Sequence, residues 1–206
     1  MSSGYREYRY DTAAGNCATE VLKAPLLRLL GAPRGTVLEL GCGNGALACQ
    51  LLARGHDIHG IDASPSGIAI ANERARGRFF LHDLGSGSLP AGLRGRRFDT
   101  VIATEVIEHL YDPRGLLDLA RSVLVPAGDL ILSTPYHGYL KNLALAASGR
   151  LDAHFGVLWD GGHIKFFSRK SLEAMLQQQG FTVMEFHGVG RVPWLWMSML
   201  VRARPA

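Results

Sequence analysis

Apolar residues follow two rhythms along this chain. Short, nearly unbroken apolar runs occupy Thr36–Leu40, Ile58–Ile61, Phe79–Leu81, Phe98–Ala103 and Asp129–Ser133. Runs of this length and continuity predict strands buried on both faces. Between them, apolar positions recur at helical spacing and predict helices over Ala46–Ala53, Ser66–Arg74 and Pro113–Leu124. Ser64 before Pro65 and Asp112 before Pro113 pair an N-cap with a proline suited to a first turn. An earlier helical pattern over residues 12–31 (Val21, Leu22, Leu26, Leu29, Leu30) is broken near Pro25 and stopped by Gly31-Ala-Pro33.

Strands alternating with helices imply a parallel sheet covered on both faces. The rhythm stops after the fifth strand: residues 135–167 carry no strand pattern. Ser168 then caps a helix through Gln179, and Gly180 ends it. Phe181–Phe186 and Met197–Arg202 read as two last strands, joined by a segment too short for a crossover helix, so they pair antiparallel. The expected fold is α/β, a seven-stranded, mostly parallel sheet with an antiparallel C-terminal hairpin and helices on both faces. Its parts are a helical cap (1–34), a ligand-binding core (35–134), an inserted cap (135–167) and a closing helix with two strands (168–206).

Composition narrows the class without naming a function. A chain of 206 residues is about one domain. No stretch reaches the roughly 18 apolar residues of a membrane span, and the N-terminus lacks an apolar signal core. Three cysteines (Cys17, Cys42, Cys49) cannot all pair and read as reduced thiols, which points to the cytoplasm. The net charge of +4 permits a nucleic-acid partner, yet the arginines are scattered. Their one cluster, Arg94, Arg96 and Arg97, reads as a solvated loop.

In parallel sheets ligands sit beyond the carboxyl ends of the strands. There the sequence places Glu39-Leu-Gly41-Cys-Gly43-Asn-Gly45, Asp62, Asp83, Thr104–His109 and Thr134–Tyr136. Glycines at 41, 43 and 45 suit backbone that approaches a ligand closely. The loop fits a dinucleotide fingerprint as well, since Asp62 follows Gly41 at about the 20-residue distance that rule asks for. Glu39, which can face a ligand ammonium group, and Asp83, which ends the third strand, tilt the reading away from a dinucleotide.

Val37-Leu-Glu-Leu-Gly-Cys-Gly-Asn-Gly45, Gly60-Ile-Asp-Ala-Ser64, Asp83-Leu84 and Phe98-Asp-Thr-Val-Ile-Ala-Thr-Glu-Val-Ile-Glu-His109 resemble the successive motifs of class I S-adenosylmethionine (SAM)-dependent methyltransferases. The match runs in order from about residue 35 to 134. The resemblance implies a Rossmann-like fold and SAM as cofactor. It implies that Gly41, Cys42, Gly43 and Gly45 shape the cofactor loop and that Glu39 holds the methionine amine. Asp62 with Ala63 would take the ribose hydroxyls, Asp83 with Leu84 the adenine, and Thr104 the cleft beyond.

Glu105, Glu108 and His109 stand at i, i+3 and i+4, one face of a helical turn. Two carboxylates and an imidazole together suit a divalent ion such as Mg, Mn or Zn. Ubiquinone-biosynthetic O-methyltransferases and metal-dependent small-RNA 2′-O-methyltransferases are similar here, with a later histidine where His163 stands. The resemblance implies a metal site of Glu105, Glu108, His109 and His163. The alternative makes His109 or His163 a general base. Tyr136, His137, His154 and Trp159 are expected to line an acceptor pocket. Pro193–Met199 reads as a buried last strand or as a contact for a lipid-like acceptor or membrane surface. Tyr5, Tyr8 and Tyr10 read as a cover over the cofactor or as a tail.

The expected reaction is methyl transfer to a small phenolic or isoprenoid acceptor by a monomer or homodimer. RNA 2′-O-methylation, small-molecule N- or C-methylation and a non-catalytic SAM- or NAD-binding module are the rivals.

Overall fold

The computed structural model describes residues 8–15, 17–156, 158 and 161–206. Its strands are β1 (Thr36–Leu40), β2 (Asp57–Asp62), β3 (Phe79–Leu81), β4 (Phe98–Thr104), β5 (Leu124–Pro135), β6 (Phe181–Val189) and β7 (Ser198–Pro205). They form one sheet in the order β3-β2-β1-β4-β5-β7-β6. The first five strands run parallel, and β7 is antiparallel to both β5 and β6, as the sequence pattern requires.

The helices are α1 (Cys17–Leu30), α2 (Ala46–Leu52), α3 (Pro65–Arg74), α4 (Pro113–Val123), α5 (Tyr139–Ala147), α6 (Leu151–Phe155) and α7 (Arg169–Gln178). The capping chemistry is the expected one. Ser64 accepts from the Gly67 N–H, Asp112 from the Gly115 N–H, and Ser168 forms a capping box with Ser171.

Side chains of the central strands alternate between two cores. Leu38, Leu40, Val101, Ala103, Leu130 and Leu132 pack on one face with Leu116, Leu119 and Ala120 of α4 and Leu172 and Leu176 of α7. Val37, Ile102, Ile131 and Leu200 point the other way, against Leu22, Leu26, Leu47, Leu51 and Ile68. Burying a leucine of this kind contributes about 2 kcal/mol, and the two cores together hold the strand ends in fixed register.

Three elements differ from expectation. α1 runs unbroken through Pro25 and starts only at Cys17. Leu22 and Leu26 are buried on either side of the proline, so packing outweighs the lost backbone hydrogen bond. Upstream, the carbonyls of Thr12 and Ala14 accept from the Asn44 amide instead of continuing a helix. β5 is twelve residues long because Leu124 already pairs with Phe98, and Pro126-Ala-Gly128 masks that extension in the sequence. Residues 135–167 contain α5 and α6, which carry the chain from the end of β5 towards α7.

Candidate active site

A cleft of about 400 Å³ opens at the carboxyl ends of β1 and β4. Its floor is the loop Gly41–Gly45, where Gly41, Gly43 and Gly45 all have positive φ. A side chain at Gly43 would be strained by its φ of 53° and would overlap the Tyr10 hydroxyl. Asp62 pins the loop: one carboxylate oxygen accepts from the Gly43 N–H at 2.8 Å, the other from the Ser64 N–H at 2.8 Å. Burial raises the Asp62 pKa, and the Ser64, Gly43 and Ala63 amides oppose the rise.

Glu39 lies under the same loop and is only 2% exposed. Its Oε2 has no hydrogen-bond partner. Burial, with Asp62 nearby, pushes its pKa up to about 8. Cys42 is buried behind the loop against Gly60, and Thr104 lines the cleft with Glu105. Asp83 is exposed and accepts from the Gly85 N–H at 2.8 Å, capping a short 3₁₀ turn that begins at the buried Leu84. Ala63 sits between Asp62, the last residue of β2, and Ser64, the N-cap of α3.

A strap formed by residues 8–14 crosses the loop. Ser64 donates to the Tyr8 carbonyl at 2.7 Å, and the Tyr10 N–H donates to Ser66 at 3.1 Å. The Tyr8 and Tyr10 rings pack with centroids 4.8 Å apart. Tyr5 lies outside the described residues.

Beyond the cleft the structure gathers Glu108, His109 and His163. One ligand atom from each lies within 4.8 Å of the others. Glu108 Oε1 is 4.0 Å from Nε2 of both histidines. Glu108 is fully buried, and neither of its oxygens has a hydrogen-bond partner, although the Thr134 hydroxyl is close enough to favour the charged form. Burial and the neighbouring Glu105 raise the Glu108 pKa. Burial pushes His163 down to about 4 and also lowers His109, whose ring is opposed in this by the Gly162 and Gly161 carbonyls.

Glu105 stands outside this group. The expected helical turn is only the 3₁₀ segment Ile107–His109, and Glu105 precedes it at a φ of 55°. Its carboxylate accepts from the Ser133 hydroxyl at 2.9 Å and the Ser198 hydroxyl at 3.2 Å, which turns it towards β5 and β7. Burial pushes its pKa up to about 7, against the pull of both serines and Lys141.

Of the acceptor-pocket residues, His137 and His154 come together with ring centroids 5.5 Å apart. Tyr136 is buried and packs edge-on against Trp196 at 5.1 Å, a core contact. Trp159 lies outside the described residues. Pro193–Trp196 is a loop before β7, with Trp194 exposed, so the run is neither wholly strand nor wholly buried. Lys141, buried on α5, gives no signal in the sequence, because a lysine among the apolar residues of a helix carries no motif. In the arginine cluster, Arg96 bonds His59 and Arg97 bonds the Ser122 and Leu124 carbonyls, so two of the three serve the fold.

A family model described as a methyltransferase domain matches residues 5–185. The chain belongs to this methyltransferase domain family. The ubiquinone biosynthesis O-methyltransferase of Azorhizobium caulinodans is 34% identical over 158 residues, 74% of this chain and 61% of that protein. This chain thus spans about three fifths of that relative's length. The enzyme of the same description from Cereibacter sphaeroides strain ATCC 17025 is 31% identical over 189 residues, 86% of this chain and 75% of that one. Among solved structures, magnesium protoporphyrin IX methyltransferase from Synechocystis PCC 6803 with bound SAH superposes with a TM-score of 0.63. It is 21% identical and covers 91% of this chain and 81% of that one, a likeness of fold. The methyltransferase domain has no helix long and apolar enough to cross a membrane among its described residues.

Proposed function

We propose that the protein transfers a methyl group from SAM to a hydroxyl of a small phenolic acceptor. The observation that carries this reading is Glu39. A buried carboxyl group with an unpartnered oxygen, its pKa pushed up to about 8 by burial beside Asp62, is a poor structural element but a fitting partner for a ligand ammonium group. The cradle fits the rest of such a ligand. Asp62 uses one lone pair of each oxygen on a backbone amide, which leaves acceptor capacity on both for a pair of ribose hydroxyls. SAM supplies the methyl group on a sulfonium. The chain's own residues bind, align and exclude water, which suits an in-line displacement. Glu105 also lines the cleft with a pKa of about 7, and each of its oxygens accepts from one serine, which leaves a lone pair on each to take the acceptor's proton near neutrality. The names of the ubiquinone biosynthesis relatives support an oxygen acceptor.

A second element of the reading is a divalent cation on Glu108, His109 and His163. It is supported by the fully buried, unpartnered Glu108 beside two imidazoles that burial keeps neutral, the ligating form. Such an ion would lower the pKa of an acceptor hydroxyl. An RNA acceptor draws no support from the arginine cluster, two members of which are engaged within the fold.

Calorimetry with SAM, followed by mass-spectrometric assay of catechol methylation with and without chelator, tests both parts. We expect micromolar SAM binding, weakened at least tenfold in Glu39→Gln, and methylation that chelator suppresses. Absence of SAM binding overturns the reading, and methylation indifferent to chelator removes the cation alone.

A further inference from the structure

Four segments bring cationic and neutral nitrogen donors together beside the candidate site. Lys141 is carried on α5, His154 on α6, His137 just beyond β5, and Arg191 in the loop between β6 and β7. Lys141 is only 3% exposed, and its Nζ donates to the Met197 carbonyl at 3.3 Å. An ammonium carries three donors, so that single bond leaves two without a partner among the described residues. No carboxylate forms an ion pair with Lys141 or Arg191 among the described residues. Glu105 is the acid that acts on Lys141 most directly, and its oxygens accept from Ser133 and Ser198.

Arg191, exposed in its loop, adds a second positive charge near the buried Lys141. Burial and Arg191 together push the Lys141 pKa down to about 8. His137, 6% exposed, has neither ring nitrogen bonded at good geometry, although Asn142 lies near, and His154 Nε2 is unbonded too. An unpaired buried ammonium beside unsatisfied nitrogens is costly unless something compensates it. Its aromatic surroundings are specific as well. Phe155 stacks on His137 at 5.9 Å, and Phe166, half exposed, meets the Phe155 and His137 rings edge-on at 4.9 and 5.1 Å.

We propose that Lys141, with Arg191, His137 and His154, forms an anion subsite that selects aromatic acceptors bearing a carboxylate. This inference rests on the methyl-transfer reading and adds the substrate class to it. The carboxylate takes the free donors of Lys141, and the aromatic rings of Phe155 and Phe166 flank the acceptor ring. The group bound here is a substituent of the acceptor, distinct from the hydroxyl that is methylated.

The test compares 3,4-dihydroxybenzoate with its neutral amide, 3,4-dihydroxybenzamide, by calorimetry on the intact protein with and without SAH. We expect the carboxylate to bind at least tenfold tighter than the amide. Lys141→Met should remove that preference, Lys141→Arg should keep most of it, and the SAH affinity of all three proteins should agree, which also reports that they fold. A carboxylate that binds no better than the amide overturns the proposal, as does a preference that survives in Lys141→Met. Failure of SAH to bind the unaltered protein would count against the cofactor reading alone, because the carboxylate–amide comparison is also made without SAH.

Discussion

The glycine-loop end of the site and the end beside α5 and α6 hold their polar groups in opposite ways. At the glycine loop, Asp62 bonds two backbone amides, Asn44 two carbonyls, and Ser64 both a carbonyl and an amide. One atom, Glu39 Oε2, is left over. Beside α5 and α6, the buried Glu108 and His137 and the half-buried His154 have unbonded atoms, and Lys141 has a single backbone partner among the described residues. The first end is finished by its own backbone and keeps its shape without a ligand. The second carries groups without partners among the described residues, which is what a selective pocket requires.

The largest test of this contrast is Asp62→Ala. Two charge-assisted hydrogen bonds of about 1.5–3 kcal/mol each disappear with it. SAM affinity measured by calorimetry should fall at least a hundredfold. Unchanged affinity would mean that the loop is not held from beneath.

A second test uses pH. Glu39 at about 8 and Glu105 at about 7 hold protons in the folded chain that the unfolded chain releases near 4.5. The native state then binds more protons than the unfolded state, so stability is full below about pH 4.5 and is lost as pH rises through these values. The imidazoles of His137 and His163 act oppositely, but only below about pH 6.5, and Lys141 does so only above about pH 8. Between pH 6.5 and 8 the buried carboxylates act alone. Thermal melts of the ligand-free protein should drop by roughly 5 °C across that window, and Glu39→Gln should flatten the slope. A melting temperature that rises with pH there would contradict the protonated state of Glu39.

The smallest effect is expected at Asp83. It is exposed and already caps a turn, so Asp83→Ala should weaken SAM binding only about two- to fivefold by calorimetry, the worth of an exposed hydrogen bond. A loss as large as that of Asp62→Ala would place the adenine contact among the firmly built ones.

The same contrast explains what is legible in the chain. The glycine loop, Asp62 and Ser64 lie within one strand–loop–helix unit after another, so residue type and spacing carry the geometry. The antiparallel hairpin follows from run length and connection length. The place of Glu105 does not follow from spacing, because its φ of 55° ends the regular backbone where a helical face would otherwise begin. Of the Lys141 cluster only His137 and His154 are legible in the sequence; Lys141 and Arg191 join them from two further segments that meet only in three dimensions. His163 is legible only through resemblance, since nothing local ties it to Glu108.

The position of β7 sets an order on assembly. β7 lies between β5 and β6, and its Ser198 holds Glu105. β1 to β4 and the glycine loop are complete in the chain by residue 104, whereas β5 keeps an open edge and β6 has no neighbour until residues 198–205 are made. A partly made chain therefore carries the glycine loop and an unpaired apolar edge at the same time. That edge is a template for pairing with other chains, so refolding yield should fall with protein concentration and recover when a chaperone shields it.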